Sequence, residues 1–375
     1  MNYEQLYNRD IRRVNRNRVY RLIYDQSEIS RPEIAQLLGI SLPTAIQNIK
    51  LLQEDGLIVD GDTMASTGGR KAISVTCVAN ARYAIGIDIT LNEIKIVVIN
   101  LKAEIVHSHY IQTPFQNTSE YYNFIEDTVN TMIKKEDIEP KKILGVGFSI
   151  PGILSDDHQL LIHSHILNIS GLQCERMKHS LPYPATLCND ANAAGLSELW
   201  SGQANKNVVY LSLSNTVGGA IILGEKLYFG DSQRAGEFGH MTLVRNGLPC
   251  YCGKRGCLDA YCSAKVLSSY TDDNLDAFFK KLKNNDLKIK NIWTKYLEWL
   301  AVALNNLTSF FDCRIILGGY LGRFFDEYLE DLQKLLAKQT TFSGNENYVS
   351  ICKYKMDAAA VGAALLYVRS FIEQI

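Results

Sequence analysis

Four side chains between His240 and Cys257 have the donor types of a metal centre. Cys250, Cys252 and Cys257 offer three thiolates, and His240 offers an imidazole. Three sulfurs and one nitrogen make a closed tetrahedral set of the structural kind, leaving no position for a reactive water, and thiolate softness favours Zn2+ over hard cations. Gly253 and Gly256 let the loop turn tightly enough for Cys257 to return to an ion. Spacing alone also fits buried or redox-active thiols. A second group sits in Leu187-Cys-Asn-Asp-Ala-Asn-Ala-Ala-Gly-Leu-Ser-Glu198. There Asn189 and Asp190 stand where a strand pattern gives way to a helical one, and an amide beside a carboxylate can donate to and accept from sugar hydroxyls. A third group is basic: Arg9, Arg12, Arg13, Arg16, Arg18 and Arg21 crowd one segment opposed only by Asp10.

The elements around the arginines turn a solvated charge run into a candidate nucleic-acid interface. Val14, Val19, Leu22 and Ile23 form one helical apolar face. Ser30-Arg-Pro-Glu33 is a capping box with proline in the first turn, so a second helix starts there, burying Ile34, Ala35, Leu37 and Leu38 before Gly39 ends it. Ser41 caps a third helix with Leu42, Ala45, Ile49 and Leu52 towards the core, and Asp55-Gly56 closes it. Thr44, Gln47, Asn48 and Lys50 are then left facing outward. Two short helices around a glycine turn are a helix-turn-helix, whose second helix enters the major groove, where Gln47 and Asn48 can pair with adenine edges. Thr67-Gly-Gly-Arg-Lys71, before the strand-like Ala72–Cys77, predicts a β-hairpin wing carrying Arg70 and Lys71 to the minor groove or phosphates. The alternative is a helical bundle that docks only proteins.

The 375 residues carry 39 Lys+Arg against 40 Asp+Glu, so the net charge of −1 gives no hint of a nucleic-acid partner and conceals the local basic patch. Length predicts two or three domains, and composition excludes global disorder. The polar, arginine-rich start is unlike a signal peptide, and the longest apolar stretches, near Ile143–Leu154 and Ala358–Val368, are too short to span a bilayer. Nine cysteines, an odd number without a secretion signal, point to a reducing cytoplasm. Strands are expected at Tyr83–Ile89, Ile94–Leu101, Ile143–Ile150, Val208–Leu213, Ala220–Leu223 and Ile315–Leu317, with a helix over Tyr121–Lys135. That alternation predicts α/β layers. Asn284–Lys290 reads as a surface connection, and His163-Ser-His165 as a solvated loop rather than a metal pair.

Taken together, the Asn-Asp helix start, Arg234-Ala-Gly-Glu-Phe-Gly-His240, Cys250-Tyr-Cys-Gly-Lys-Arg-Gly-Cys-Leu-Asp259 and Leu317-Gly-Gly-Tyr-Leu-Gly322 closely resemble the ROK family (repressors, open reading frames and kinases) over almost the whole chain. With its helix-turn-helix in front, the chain resembles the xylose-repressor and N-acetylglucosamine-repressor branch. The resemblance implies an α/β protein: a winged helix-turn-helix at 1–80, then a two-lobed actin/hexokinase-like fold. The small lobe covers 81–190, the large lobe with the zinc site 191–355, and a C-terminal helix at 356–375 packs on the small lobe. It places structural Zn2+ on His240, Cys250, Cys252 and Cys257. It also implies sugar contacts at Asn189, Asp190, Glu237 and His240, the last offering its second ring nitrogen to a hydroxyl. Asn168 matches another family contact, Gly152 allows close backbone approach, and Asp259 stands where the family usually has Glu.

In family kinases the equivalent of Asp190 is the general base, but phosphoryl transfer also needs loops that cradle ATP phosphates. The first such loop, Asp-x-Gly-Gly-Thr in kinases, is here Asp88-Ile-Thr-Leu-Asn92, and the second, Gly-Thr-Gly-x-Gly-Gly-Gly, is Ser214-Asn-Thr-Val-Gly-Gly-Ala220. The expectation is therefore a non-catalytic, sugar-responsive cytoplasmic repressor of carbohydrate-utilisation genes. Its partners would be an operator duplex, a sugar effector and further copies of itself as a homodimer or tetramer, without a membrane. An ATP-dependent sugar kinase and a regulator controlled by a partner protein are the alternatives.

Overall fold

The computed structural model describes residues 3–63, 73–202, 207–339 and 348–375, with side chains from residue 13 onward. Helix α1 (Tyr3–Gln26) leads into a short strand β1 (Ile29–Ser30), α2 (Arg31–Leu38) and α3 (Leu42–Glu54). The capping box is present in full: Glu33 N–H donates to Ser30 Oγ, and Ser30 N–H donates to Glu33 Oε2 at 2.9 Å. Gly39 ends α2 in the left-handed conformation at φ 64°, and Ser41 caps α3. Strands β2 (Ile58–Thr63) and β3 (Ile73–Cys77) form the antiparallel wing, with β1 on its other side. The wing tip with Arg70 and Lys71 lies outside the described residues.

The small lobe begins with β4 (Tyr83–Ile89), β5 (Glu93–Asn100) and β6 (Ile105–Gln112), followed by α4 (Ser119–Lys135) and β7 (Ile143–Ile150). A side sheet of β8 (Ile153–Leu154), β9 (Leu160–Ser164) and β10 (Ile169–Gln173) leads through α5 (Cys174–Lys178) to β11 (Ala185–Asn189). The main sheet runs β11-β7-β4-β5-β6. The chain then crosses on α6 (Asp190–Trp200) to the large lobe, where β12 (Val208–Leu213), β13 (Val217–Leu223) and β14 (Lys226–Tyr228) precede the metal-type loop. Helices α7 (Asp259–Cys262), α8 (Ala264–Ser268), α9 (Leu275–Lys283) and α10 (Leu287–Phe311) follow, then β15 (Arg314–Gly318), α11 (Phe325–Gln339), β16 (Val349–Ile351) and α12 (Ala358–Gln374). The second main sheet runs β14-β13-β12-β15-β16. Asn284–Lys290 is a connection only to Asp286, which caps α10.

Between the two sheets lie α6 and α12. α12 covers the small-lobe strands β4, β5 and β7, whereas α6 rests on β12 and β13. The two helices touch backbone to backbone: a Cβ on Gly362 would stand 1.6 Å from the Ala193 carbonyl oxygen. The DNA-binding unit is not tethered loosely. Val19, Tyr20, Ile23, Ile49 and Leu52 belong to one apolar core with Val97, Ile99, Leu101, Leu365 and Val368. No helix among the described residues is long and apolar enough to cross a membrane.

Candidate functional site

Asn189 occupies the last position of β11 and caps α6: Ala191 and Asn192 N–H each donate to its Oδ1 at 3.1 Å. Its Nδ2 donates to the Gly152 carbonyl at 3.2 Å, so the same side chain fixes the Gly152 turn against the helix start. One amide hydrogen is left for another partner. Asp190 follows in the first turn, and burial pushes its carboxyl up to about 6. Asn189, Asp190, Gly152, Glu237 and His240 line one cavity of about 390 Å³ between the lobes. A second cavity of about 530 Å³ adjoins it and shares Asp190 and Tyr251, so the two are halves of a single cleft.

Two expected sugar residues fall elsewhere. Asn168 lines neither half; it is solvent-exposed in the β9–β10 turn with φ 51°, a conformation asparagine tolerates. Asp259 is 6% exposed and lines the larger half. Its Oδ2 accepts from Val217 N–H at 2.7 Å, which ties α7 to the β12–β13 turn. Burial raises its carboxyl above the usual range.

The metal-type residues converge. One donor atom from each of His240, Cys250, Cys252 and Cys257 lies within 4.8 Å of the other three. Cys252 Sγ and Cys257 Sγ are 3.8 Å apart, and Cys250 Sγ is 3.9 Å from His240 Nδ1. Metal–sulfur bonds of about 2.3 Å in a tetrahedron require sulfur–sulfur edges of roughly 3.8 Å, which the Cys252–Cys257 pair matches, so the cluster could hold a metal ion. The loop holds itself: Gly253 N–H donates to the Cys250 carbonyl at 3.0 Å and Cys250 N–H to the Lys254 carbonyl at 2.8 Å. His240 turns Nδ1 to the sulfurs and Nε2 to the cleft, where Tyr251 Oη is 3.3 Å away and Glu237 Oε2 4.0 Å.

The larger half is lined by residues of the two loops that the family resemblance matches to the kinase phosphate loops. Leu91 projects there, together with Asn215 and Thr216. Gly218 and Gly219 survive but serve packing: a Cβ on Gly219 would come within 2.3 Å of the Phe238 ring. Tyr320 spans the lobes, its hydroxyl donating to Glu93 Oε2 at 2.7 Å. Asp88, at the end of β4, accepts from Ser149 Oγ at 2.6 Å, and burial pushes its carboxyl up to about 7. Tyr320 and Tyr251 carry no sequence signal beyond position: one follows Gly318-Gly319, the other stands between two thiols.

On the DNA-binding unit, Gln47 and Lys50 are exposed on α3 as expected, and Thr44 is half-buried. Asn48 does not face outward as expected. It is 6% exposed and its Nδ2 donates to the Thr44 carbonyl at 2.8 Å, because it shares the inward face with Ala45, Ile49 and Leu52. Conversely Leu42, expected inside, is 42% exposed at the helix start, as are Val14 and Leu37 on their helices. Two α1 arginines are engaged internally: Arg16 with Asp55, and Arg18 Nη2 with the Leu38 carbonyl at 3.0 Å.

The sequence profile of the ROK family matches residues 84–370, and that of winged helix-turn-helix DNA-binding domains matches residues 12–59. The chain is 25% identical over 316 residues to the xylose repressor of Bacillus subtilis (strain 168), covering 82% of each. A crystal structure of a ROK family transcriptional regulator, homolog of the E. coli MLC protein, superposes with a TM-score of 0.76 at 16% identity, over 97% of both chains. A ROK family glucokinase from Streptomyces griseus, in complex with glucose and AMPPNP, superposes with a TM-score of 0.63 at 24% identity, over 76% of this chain and 98% of that one.

Proposed function

The chain belongs to the ROK family, and from that premise we propose that it is a sugar-responsive DNA-binding repressor of carbohydrate-utilisation genes. One observation carries the proposal: a winged helix-turn-helix shares a single apolar core with a two-lobed unit whose cleft gathers Asn189, Asp190, Glu237 and His240. The xylose repressor, similar over most of its length, supports the same reading. Gly152, with its carbonyl held by Asn189, forms the floor of the sugar half. Asp259 acts one step back by holding the Val217 turn. Gln47, Lys50 and Thr44 face the operator, with Arg70 and Lys71 at the wing. The boundaries follow as 1–80 for DNA binding, 81–190 for the small lobe and 191–355 for the large lobe.

His240, Cys250, Cys252 and Cys257 would hold a structural Zn2+. When bound, the ion supplies electrostatic cross-linking of the loop and fixes the His240 tautomer. With Nδ1 committed, Nε2 carries the proton and donates towards the cleft, where Glu237 and Tyr251 compete with a sugar hydroxyl for it.

A kinase reading has Asp190 in its favour, a half-buried carboxyl raised to about 6 and suited to a general base. Against it stand Leu91, Asn215 and Thr216 where phosphate-cradling glycines are needed. The protein therefore acts without turnover. It works in the cytoplasm as a homodimer or a tetramer, because two recognition helices read a pseudo-palindrome. The test is operator affinity by fluorescence anisotropy, using a duplex selected by the full chain, across mono- and amino-sugars. One sugar should weaken binding at least several-fold. Indifference to every sugar that binds overturns the proposal, and sugar-dependent ATP consumption overturns its non-enzymatic part.

A further inference from the structure

His163 and His165, expected in a solvated loop, stand instead on the wall of the cleft that holds Asp190, Glu237 and His240. Their arrangement is built. His163 lies in β9, paired across the ladder with Ser170 of β10. His163 Nδ1 is 2.7 Å from Ser170 Oγ, and its Nε2 is 3.1 Å from His165 Nδ1. The rings stand edge to face at 88°, with centroids 4.2 Å apart. Three of the four ring nitrogens are thereby engaged. His165 Nε2 is left without a partner among the described residues.

A neutral imidazole donates from one nitrogen and accepts at the other, so the chain Ser170–His163–His165 has two self-consistent proton arrangements. If Ser170 O–H donates to His163 Nδ1, then His163 Nε2–H donates to His165 Nδ1, and His165 Nε2 carries a hydrogen. If the order reverses, His165 Nε2 is an acceptor. A hydroxyl, which both donates and accepts, suits either arrangement, whereas a carboxylate suits only one. Asp190 and Glu237 on the same cleft supply acceptors, so this wall adds the complementary adaptable group.

We infer that His165 is a further effector-contact residue, its Nε2 hydrogen bonding one hydroxyl of a neutral sugar, and that His163 is the residue that positions it. The inference rests on the sugar-sensor reading. Titration calorimetry of the full chain tests it, using the sugar that most raises the melting temperature and its single-deoxy analogues. His165→Ala should bind that sugar about ten-fold more weakly, the loss of one well-formed hydrogen bond. One deoxy analogue should bind wild type about ten-fold more weakly than the parent sugar, yet bind His165→Ala no worse than the parent does. His165→Gln should recover most of the loss, and His163→Ala should cost about three-fold. Operator affinity without sugar, unchanged in all variants, checks the fold. Parent-sugar affinity unchanged in His165→Ala, or every deoxy analogue penalised equally in both proteins, overturns the contact; a silent His163→Ala overturns the positioning. If wild type binds no sugar at all, the sensor reading falls and takes this inference with it.

Discussion

Trp200 Nε1 donates to the Tyr24 hydroxyl at 3.2 Å, with the two rings in an edge contact at 6.0 Å. Trp200 is the last residue of the helix whose first residue, Asp190, lines the cleft; Tyr24 belongs to the helix that supports the recognition unit. Tyr24 passes the link on, donating to the Leu101 carbonyl at 2.8 Å, while Lys102 Nζ lies 4.1 Å over its ring. A shift of α6 therefore has a direct hydrogen-bonded route to α1, beside the packing that the shared core and α12 provide.

Trp200→Phe should uncouple the two functions. It keeps an aromatic ring and removes the indole donor, so sugar affinity and sugar-free operator affinity should stay within about two-fold of wild type. The ratio of operator affinities with and without sugar should shrink about five-fold, within the usual range of coupling energies. Anisotropy titrations measure both quantities. An unaltered ratio would show that the joint does not carry the signal.

Metal content comes next. Elemental analysis should find one zinc ion per chain, and Cys250→Ser should lose it. Because Cys250 faces His240 Nδ1 and His240 Nε2 faces the cleft, the metal-free protein should lose its effector response as well as thermal stability. Unchanged sugar binding in verified metal-free protein sinks the coupling.

Asp88 gives a pH dependence whose sign follows from its burial. Its folded value is raised to about 7 from an unfolded value near 3.8, with Ser149 the hydrogen-bond partner and the Asp190 and Glu93 charges raising it further against Lys95. The folded state then binds the proton more tightly, so the stabilising protonated form is complete below about pH 4 and is lost as pH rises through about 7. Asp88→Asn removes the charge and keeps an oxygen for Ser149. It should stabilise the protein at pH 8 by on the order of 2 kcal/mol and show little effect at pH 4. Denaturant melts at both pH values decide; equal effects at both would remove this assignment.

The recognition helix separates two kinds of polar residue. Gln47→Ala should relax base preference at one position of each half-site, and Lys50→Ala should weaken all sequences alike while lowering the salt slope by about one. Asn48→Ala should leave preference untouched and cost about 1 kcal/mol of stability, since it removes the bond to the Thr44 carbonyl. Selection from random duplexes, with melting curves, distinguishes these outcomes. A changed motif from Asn48→Ala would return it to the groove.

The helices with caps, the strands and the zinc-type cluster were legible because each is written in short-range pattern. Ser30 with Glu33, and Ser41 before α3, encode helix starts within a few residues. Alternation and runs of β-branched residues mark Tyr83–Ile89 and Ile143–Ile150 to the residue. Polarity points Asn48 outward, but helical phase places it with Ala45 and Ile49. Asn168 stands outside the cleft and His165 on its wall because the β9–β10 turn decides which of them faces it, and turn geometry is poorly specified by Ser-His-Ile-Leu-Asn. The Trp200–Tyr24 joint joins residues far apart in sequence, and no local pattern announces it.

The position of α12 has a consequence for biosynthesis. The helix-turn-helix and wing end at Cys77, but the shared core and the small-lobe sheet lack Ala360, Val361, Leu365 and Val368 until Ala358–Gln374 has been made. At about 5–20 residues per second, the interval lasts on the order of tens of seconds. During it the nascent chain exposes the apolar face of β4 and β5 that α12 later covers. The sensor thus completes its core only once Ala358–Gln374 has been made, and a chain interrupted before that helix would carry an operator-reading segment without the helix that closes the sensor.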